Sequence, residues 1–396
     1  MFAIMPSMAF SKKQIYQFII LLGFVSLFSD VTYEGARSIA GPYLATMGAS
    51  ATVVGFVAGF GELVGYALRL VSGYISDKTR RYWLITMFGY SVNLIAVPVL
   101  ALAGNWKIAA MLMMAERMGK AIRTPARDAM LAHASHEIGR GWGFGLHEAM
   151  DQIGAMLGPL VVALVLYFKQ DYRPAFAVLL IPAILALSVL CLARFLYPRP
   201  HDLEIAVPKI EPKGFSKVFW LYCVAAGLIA AGYADFPLIA FHFEKSGEIS
   251  KIWIPVFYSV AMGVDAIAAL IFGRWFDRRG MGILIFSGVL SMAFAPFVFW
   301  GGFKGALFGM ALWGIGMGAH ESVMRAAVSN IVSSQRRGTA FGVFNTVYGV
   351  AWFLGSAAMG MLYDRSITAM VFFSILSQAS ALPFLWYSIK RVVSQP

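Results

Sequence analysis

Apolar stretches about twenty residues long follow one another along the whole chain, separated by short polar or charged breaks. This spacing predicts twelve helices, at roughly 14–46, 51–72, 84–103, 108–130, 142–166, 175–197, 219–243, 252–273, 283–302, 305–330, 340–362 and 368–389. At about 1.5 Å of rise per residue, each is long enough to cross a hydrocarbon layer of about 30 Å. The longest break, 198–217, carries Pro198, Pro200, Pro208 and Pro212 among charges of both signs. Residues 1–197 therefore read as an N-terminal six-helix bundle, 198–217 as a linker and 218–396 as a C-terminal six-helix bundle.

Composition supports a bilayer as the solvent. Of 396 residues, 59% are hydrophobic and 13% charged, with a mean hydropathy of +0.72, whereas a soluble chain carries about 25% charge. The 39 glycines and 21 methionines suit close helix packing where no hydrophobic drive acts between helices. Cys191 and Cys223 lie inside apolar runs and read as packing residues. Lys12 and Lys13 precede a long first span with no small-residue cleavage signature, so no cleavable signal peptide is expected.

Charge placement orients the chain. With the N-terminus in the cytoplasm, twenty Lys and Arg fall on cytoplasmic segments, seven on the outside and five within spans, which accounts for all 32. That bias puts both termini and the linker inside. A multi-pass protein of a bacterial-type inner (plasma) membrane follows, and the net charge of +12 is mostly topology. With no soluble domain to carry a basic face, no nucleic-acid partner is expected. The bilayer is the expected surrounding, and a monomer the expected state.

The two halves repeat each other. Gly73-Tyr74-Ile75-Ser76-Asp77-Lys78 returns as Gly273-Arg274-Trp275-Phe276-Asp277-Arg278, each at the end of an apolar stretch. Arg140-Gly141-x-x-Phe144-Gly145 returns as Arg337-Gly338-x-x-Phe341-Gly342, Gly158 answers Gly355, and Arg127 answers Arg325. Several matches in the same order point to internal duplication: an all-α integral membrane fold of twelve transmembrane helices in two pseudo-symmetric six-helix bundles. In duplicated bundles of this kind the substrate site lies between the copies near the midplane.

Over nearly its whole length the chain resembles the major facilitator superfamily, through its twelve spans, its central linker and three motif regions. The family's loop signature after the second span runs Gly-x-x-x-Asp-Arg-x-Gly-Arg-Arg. Gly73, Asp77 and Arg81 match it, Lys78 replaces an arginine, and Arg80 stands where the family has glycine. The second copy keeps Gly273, Asp277, Arg278 and Gly280, with Met281 in place of an arginine. An Asp at the end of one span can accept hydrogen bonds from the N-terminus of a neighbouring helix. The resemblance thus implies a conformational latch at Gly73, Asp77, Arg81, Gly273, Asp277 and Arg278 that holds the outward-facing state. A topological positive-inside loop is the simpler alternative. In span five, Gly145, Gly154, Gly158 and Pro159 are spaced like the antiporter motif of the family's drug and metabolite exporters, although Val162 and Ala163 stand where a further glycine pair is usual. Glycines there would allow backbone contact between the halves, and ordinary small-residue packing is the alternative. The stretch Glu116–Asp128 looks like the family's Arg-bearing fourth span, with Arg117 nearer the middle than Arg127. Carboxylates on span one are its expected partners.

Span one supplies them. Asp30, Glu34 and Arg37 are spaced by four and three and share one helical face. Charge at the bilayer centre costs at least about 2.5 kcal/mol unless paired or wetted, so this face must turn to a cavity or to other helices. Two close carboxylates also suit proton coupling. A static Glu34–Arg37 pair is the alternative. The second half adds Tyr233 and Asp235 on span seven, with His242 beyond, and His320, Glu321 and Arg325 on span ten. Asp235 has no local partner in the sequence, and Glu321–Arg325, one turn apart, suits either structure or function. His147, Glu148 and Asp151 on span five could relay protons or form a satisfied pair, and Asp265 is a lower-ranked lone carboxylate.

No metal-ligand cluster, nucleophile elbow or phosphate loop stands out, so neither an enzyme, a cofactor nor a metal is expected. Three functions remain: a proton-coupled exporter (antiporter) of a small organic solute, a proton-coupled importer or uniporter of a polar metabolite, and a non-transporting membrane sensor. A mixed set of Asp, Glu, Arg and His suits a polar or zwitterionic substrate.

Overall fold

The computed structural model describes residues 12–134, 140–198, 214–332 and 336–393. Among these residues every regular element is a helix. The N-terminal half contains α1 (Lys12–Thr46), α2 (Ala51–Thr79), α3 (Tyr82–Val99), α4 (Trp106–Ala134), α5 (Arg140–Lys169), α6 (Tyr172–Val178) and α7 (Leu180–Leu196). The C-terminal half contains α8 (Lys217–Gly232), α9 (Phe236–Ser246), α10 (Trp253–Arg279), α11 (Ile283–Met292), α12 (Phe294–Trp300), α13 (Gly302–Gly318), α14 (Arg325–Ile331), α15 (Arg337–Arg365) and α16 (Ile367–Val393). Nine stretches among the described residues are long and apolar enough to cross a membrane by length and composition.

The chain pattern explains where helices begin and end. Ser50 and Ser216 accept hydrogen bonds from Val53 and Phe219 at the starts of α2 and α8, and Asp171 caps α6, as side-chain oxygens do at orphan helix donors. At the Gly73–Asp77 corner, Arg80 ends α2 with a φ of 53°. This is the left-handed conformation that glycine adopts most easily, so the turn forms even though arginine has replaced glycine.

Three expected spans are broken, span nine among them, at Ala293 between α11 and α12. Span six divides at Leu179 into α6 and α7. Span seven divides at Tyr233–Asp235, where Asp235 is extended (φ −68°, ψ 143°) and Pro237 opens α9. Span ten bends differently: Ala319–Met324 forms a π turn between α13 and α14, an irregularity frequent at functional sites. Of the expected linker, 199–213 lies outside the described residues and Lys217 already belongs to α8.

The core is not symmetric along the bundle. The end where α1 begins and α16 finishes is called here the termini end, and the other the far end. Toward the far end one continuous apolar cluster joins both halves, from Ile39, Tyr43 and Val54 to Phe236, Trp313 and Trp352. Toward the termini end the N-terminal half keeps a separate cluster around Phe18, Leu22, Trp83, Tyr90 and Leu190.

Candidate functional site

Charged side chains from five helical segments of both halves meet in a cavity of about 130 Å³. Tyr33, Glu34 and Arg37 come from α1, Glu62, Tyr66 and Arg69 from α2, and Arg117 and Lys120 from α4. The opposite wall carries His320 and Glu321 of the π turn, Arg325 at the start of α14, and Phe344, Asn345, Tyr348 and Trp352 of α15. Each charge lies within a segment of high hydropathy or beside one, so the set is held by mutual contacts rather than by lipid.

The contacts form a connected network. Arg37 Nη2 lies 2.8 Å from Asp235 Oδ1, an ion pair that joins α1 to the break between α8 and α9. The break is what makes this possible: Asp235 makes no cap to its own helix, so its carboxylate is free to turn to Arg37. Trp352 Nε1 donates to the other Asp235 oxygen at 3.4 Å. Glu62 is shared by Arg117 (2.9 Å) and Arg37 (3.6 Å). The Tyr33 hydroxyl accepts from both arginines, at 3.1 Å from Arg37 Nη1, and Lys120 Nζ stacks 3.6 Å from the Tyr33 ring centroid. Tyr258 donates to Glu34 Oε2 at 2.6 Å. Tyr33, Arg37 and Arg117 also line a smaller, mainly apolar cavity of about 50 Å³. They therefore form a layer between the charged cavity and that second space.

The two ends of the interface between halves differ. At the far end, Asp364, the last acidic residue of α15, accepts from the Ala51 and Thr52 backbone N–H groups at 3.0 and 2.8 Å and from the Thr52 hydroxyl at 2.6 Å. The α2 and α15 backbones touch beside it: a Cβ added to Gly55 would lie 2.3 Å from Ser356 O, and one added to Gly360 2.5 Å from Ala51 O. Gly41 meets Pro237 O in the same way, and Tyr172 donates to Glu244 at 2.6 Å. At the termini end, Cβ positions at Gly145 and Gly273 meet open space. Among the described residues, no ion pair or hydrogen bond from the other half reaches Asp77, Arg81, Asp277 or Arg278.

Against proteins already known, the Major Facilitator Superfamily model matches residues 19–356. The chain belongs to the Major Facilitator Superfamily. An uncharacterized protein of Mycobacterium tuberculosis is 40% identical over 378 residues, covering 94% of this chain and 92% of the relative. An uncharacterized transporter of this superfamily from Methanocaldococcus jannaschii is 27% identical over 393 residues, covering 95% and 96%. Among solved structures, a bacterial homologue of the human lysosomal transporter Spinster, inward-facing and unoccupied, aligns with a TM-score of 0.72 at 15% identity over 97% of each chain. A nucleoside transporter aligns at 0.72 and 13% over 96% and 100%. At such identities the structures show the fold alone. An all-helical multi-pass membrane protein follows.

Within this superfamily fold, the residues singled out by sequence divide into two groups. Glu34, Arg37, Arg117, His320, Glu321 and Arg325 line the cavity, and Asp235 stands directly behind Arg37. Others turn elsewhere. Asp30 faces α4 and α5, with Arg123 Nη2 at 4.0 Å, because it sits one turn nearer the termini end, where α5 covers α1. The Tyr233 hydroxyl donates to Trp313 O and is wholly buried, so it holds the break in span seven. His242 pairs with Tyr363 at 2.9 Å. Asp151 accepts from Ser26, His147 Nε2 is buried without a hydrogen-bond partner, and Glu148 is exposed.

The pairings differ from those weighed on the sequence. Arg117 pairs with Glu62 of α2 rather than with carboxylates of α1. Glu34 and Arg37 do not pair with each other, since Arg37 is drawn to Asp235. Asp235, which has no local partner in the sequence, is paired with the distant Arg37. No ion pair within 4.0 Å joins Glu321 to Arg325, because the π turn widens the helix and removes the one-turn register. The antiporter-like glycines pack within one half: Cβ atoms on Gly154 and Gly158 would lie 2.4 Å from Leu27 O and Val31 O of α1. Pro159 lies within the continuous α5.

Sequence reasoning missed Glu62, Arg69, Lys120, Tyr258 and Asp364, and Tyr33 and Tyr66 of the cavity wall. Glu62 had a signal, being a carboxylate inside span two. Asp364 had a stronger one, because Gly360-Met361-Leu362-Tyr363-Asp364-Arg365 repeats the Gly-x-x-x-Asp-Arg pattern. Tyr258 had none, since a tyrosine in a span is ordinary.

Proposed function

We propose that this chain is a secondary active transporter that moves a small polar organic solute by alternating access, coupled to protons, with the charged cavity as its solute site. The carrying observation is the cavity's position: it is walled by both halves and sealed toward the far end by the Arg37–Asp235 layer and the Asp364 contacts, while at the termini end Gly145 and Gly273 meet open space among the described residues. A site shared by both halves and closed at one end fits one of the two states that alternating access needs.

The proposal includes twelve crossings in two six-helix bundles, 1–197 and 218–396, with a linker between and both termini cytoplasmic. Trp253–Trp300 spans 48 residues, about 72 Å of helix, and turns at Gly280–Gly282, so it supplies two crossings. Charged α4 and the interrupted α13–α14 supply the two others that hydropathy alone passes over. In this frame the opening faces the cytoplasm. Export by proton exchange is the direction the span-five spacing suggested; the α1–α5 packing of those glycines explains the spacing without a direction, so import remains for the test to separate. Glu34 is the proposed proton carrier, because it faces the cavity while Asp30 faces Arg123.

The test is proteoliposome transport under an imposed pH gradient, with internal dye reporting protons and a solute panel supplied on either side. The expected result is solute-dependent proton movement that Glu34→Gln abolishes and Asp30→Asn retains. Opposed fluxes mean export by exchange, and parallel fluxes mean import. Loss in Asp30→Asn with retention in Glu34→Gln overturns the assignment of the carrier. Solute movement without protons overturns the coupling.

A further inference from the structure

The cations of the cavity fall into two classes. Arg37 and Arg117 are committed: Asp235 and Glu62 hold them at 2.8 and 2.9 Å. Arg69, Lys120 and Arg325 line the same cavity with no carboxylate within 4.0 Å among the described residues. The Arg69 Nε is buried without a hydrogen-bond partner. Of the three carboxylates on the lining, Glu62 is spent on Arg117 and Arg37, and Glu34 is occupied by the Tyr258 hydroxyl. That leaves Glu321 alone beside three unpaired cations.

The uncommitted cations also have a shared location. Arg69 packs 5.6 Å from the Tyr66 ring centroid, and Arg69 and Arg325 both lie within electrostatic range of the Tyr66 hydroxyl. Tyr66 meets Tyr348 edge to face at 6.1 Å across the two halves. Arg69 thus stands on the N-terminal side of an aromatic pair and Arg325 on the C-terminal side.

We infer that the transported solute is an organic anion, a carboxylate, phosphate ester or sulfonate, whose acidic group binds between Arg69 and Arg325 with Lys120 beside them. The inference rests on the reading of this cavity as the solute site and adds its chemical class. An unpaired guanidinium inside a membrane protein is costly, and a planar fork of donors suits the oxygens of these groups. Tyr66, Tyr348 and Trp352 supply ring surface for an apolar body. Binding would also draw the halves together at the termini end. Arg69 and Arg325 belong to opposite halves, so an empty cavity opposes closure by like-charge repulsion, and an anion between them removes that opposition.

The test is thermal unfolding of the purified full chain with a panel of metabolite-sized solutes matched in size and sorted by charge: carboxylates, phosphate esters and sulfonates against their amides, alcohols and amines. A bound ligand stabilises by mass action. The expected result is stabilisation confined to anions, with affinity weakened roughly ten- to hundredfold in Arg69→Gln and in Arg325→Gln and largely restored in Arg69→Lys. Elution as a monodisperse species checks that the variants fold. Stabilisation by amines or uncharged solutes, by anions equally in parent and both variants, or by no anion of the panel overturns the inference. If amines or neutral solutes bind and also move across proteoliposomes with protons, the anion class fails while the transporter reading stands.

Discussion

The far end and the termini end of this molecule are built from the same sequence pattern and stand in opposite states. Gly360-x-x-x-Asp364-Arg365 closes α15 at the far end, and Gly73-x-x-x-Asp77-Lys78 closes α2 at the termini end. Asp364 is engaged by the N-terminus of α2, on three donors from the other half. Asp77 has no partner from the other half among the described residues. The difference is therefore not in the local motif. It lies in whether a helix N-terminus of the opposite half is within reach, which is a property of how the halves are tilted. A carboxylate at the positive end of a helix is favourable, so each motif is a contact that can be made in one tilt and lost in the other.

The largest way to break this comparison is steric. Gly55 is in backbone contact at the far end, with Ser356 O 2.3 Å from the position a Cβ would take, whereas Gly273 at the termini end faces open space. Gly55→Ala forces α2 and α15 apart and should destabilise the present state by about 1–3 kcal/mol, the usual cost of overpacking. Gly273→Ala should leave it unchanged. Cysteine pairs placed near Thr52 and Tyr363 report the far end by cross-linking. If Gly55→Ala cross-links as well as the parent, the glycine contact is not what closes that end.

Much of the fold was legible in the chain, and the reasons are physical. Helices in a bilayer must satisfy their own backbone and present apolar surface, so their positions follow from runs of apolar residues. The cavity's polar set was partly legible for the same reason, since Glu34, Arg37, Arg117 and Arg325 have no place facing lipid. Pairing was not legible. Arg37 reaches Asp235 across 198 positions, and Arg117 passes over the carboxylates of α1 for Glu62, because pairing depends on which helices are neighbours and on where they break. The break at Tyr233–Asp235 carries Pro237, yet the prolines in α1, α3, α4 and α5 lie inside continuous helices. Proline alone could not mark it. The π turn at Ala319–Met324 has no local signal at all, and it removes the Glu321–Arg325 pair that one-turn spacing suggested.

A smaller effect follows from the carboxylate itself. Asp364→Ala removes an acceptor for three donors at an α2 N-terminus that Ser50 also caps. Loss of a capping side chain costs about 1 kcal/mol, which is a shift of roughly fivefold in the balance between the two tilts. In the same cross-linking assay the far-end product should fall by a comparable factor, while thermal unfolding changes little. An unchanged product would mean that the glycine contacts alone determine closure.

The smallest effect on this state, and the most informative about the other, belongs to Asp77 and Asp277. Among the described residues neither is engaged by the opposite half here, so Asp77→Asn and Asp277→Asn should leave far-end cross-linking and thermal unfolding within error of the parent. Their cost should appear in the tilt where the termini end closes. There a carboxylate at the end of α2 would meet a helix N-terminus of the C-terminal half, as Asp364 meets α2 now, and amidation weakens that attraction by removing the charge while keeping an oxygen acceptor. Turnover in proteoliposomes should therefore slow, and accessibility of a single cysteine near Gly145 at the termini end should rise under conditions in which the parent closes. Unchanged turnover and unchanged accessibility in both variants would show that the matching pattern at the two ends is topological, and that only Asp364 acts as a contact between halves.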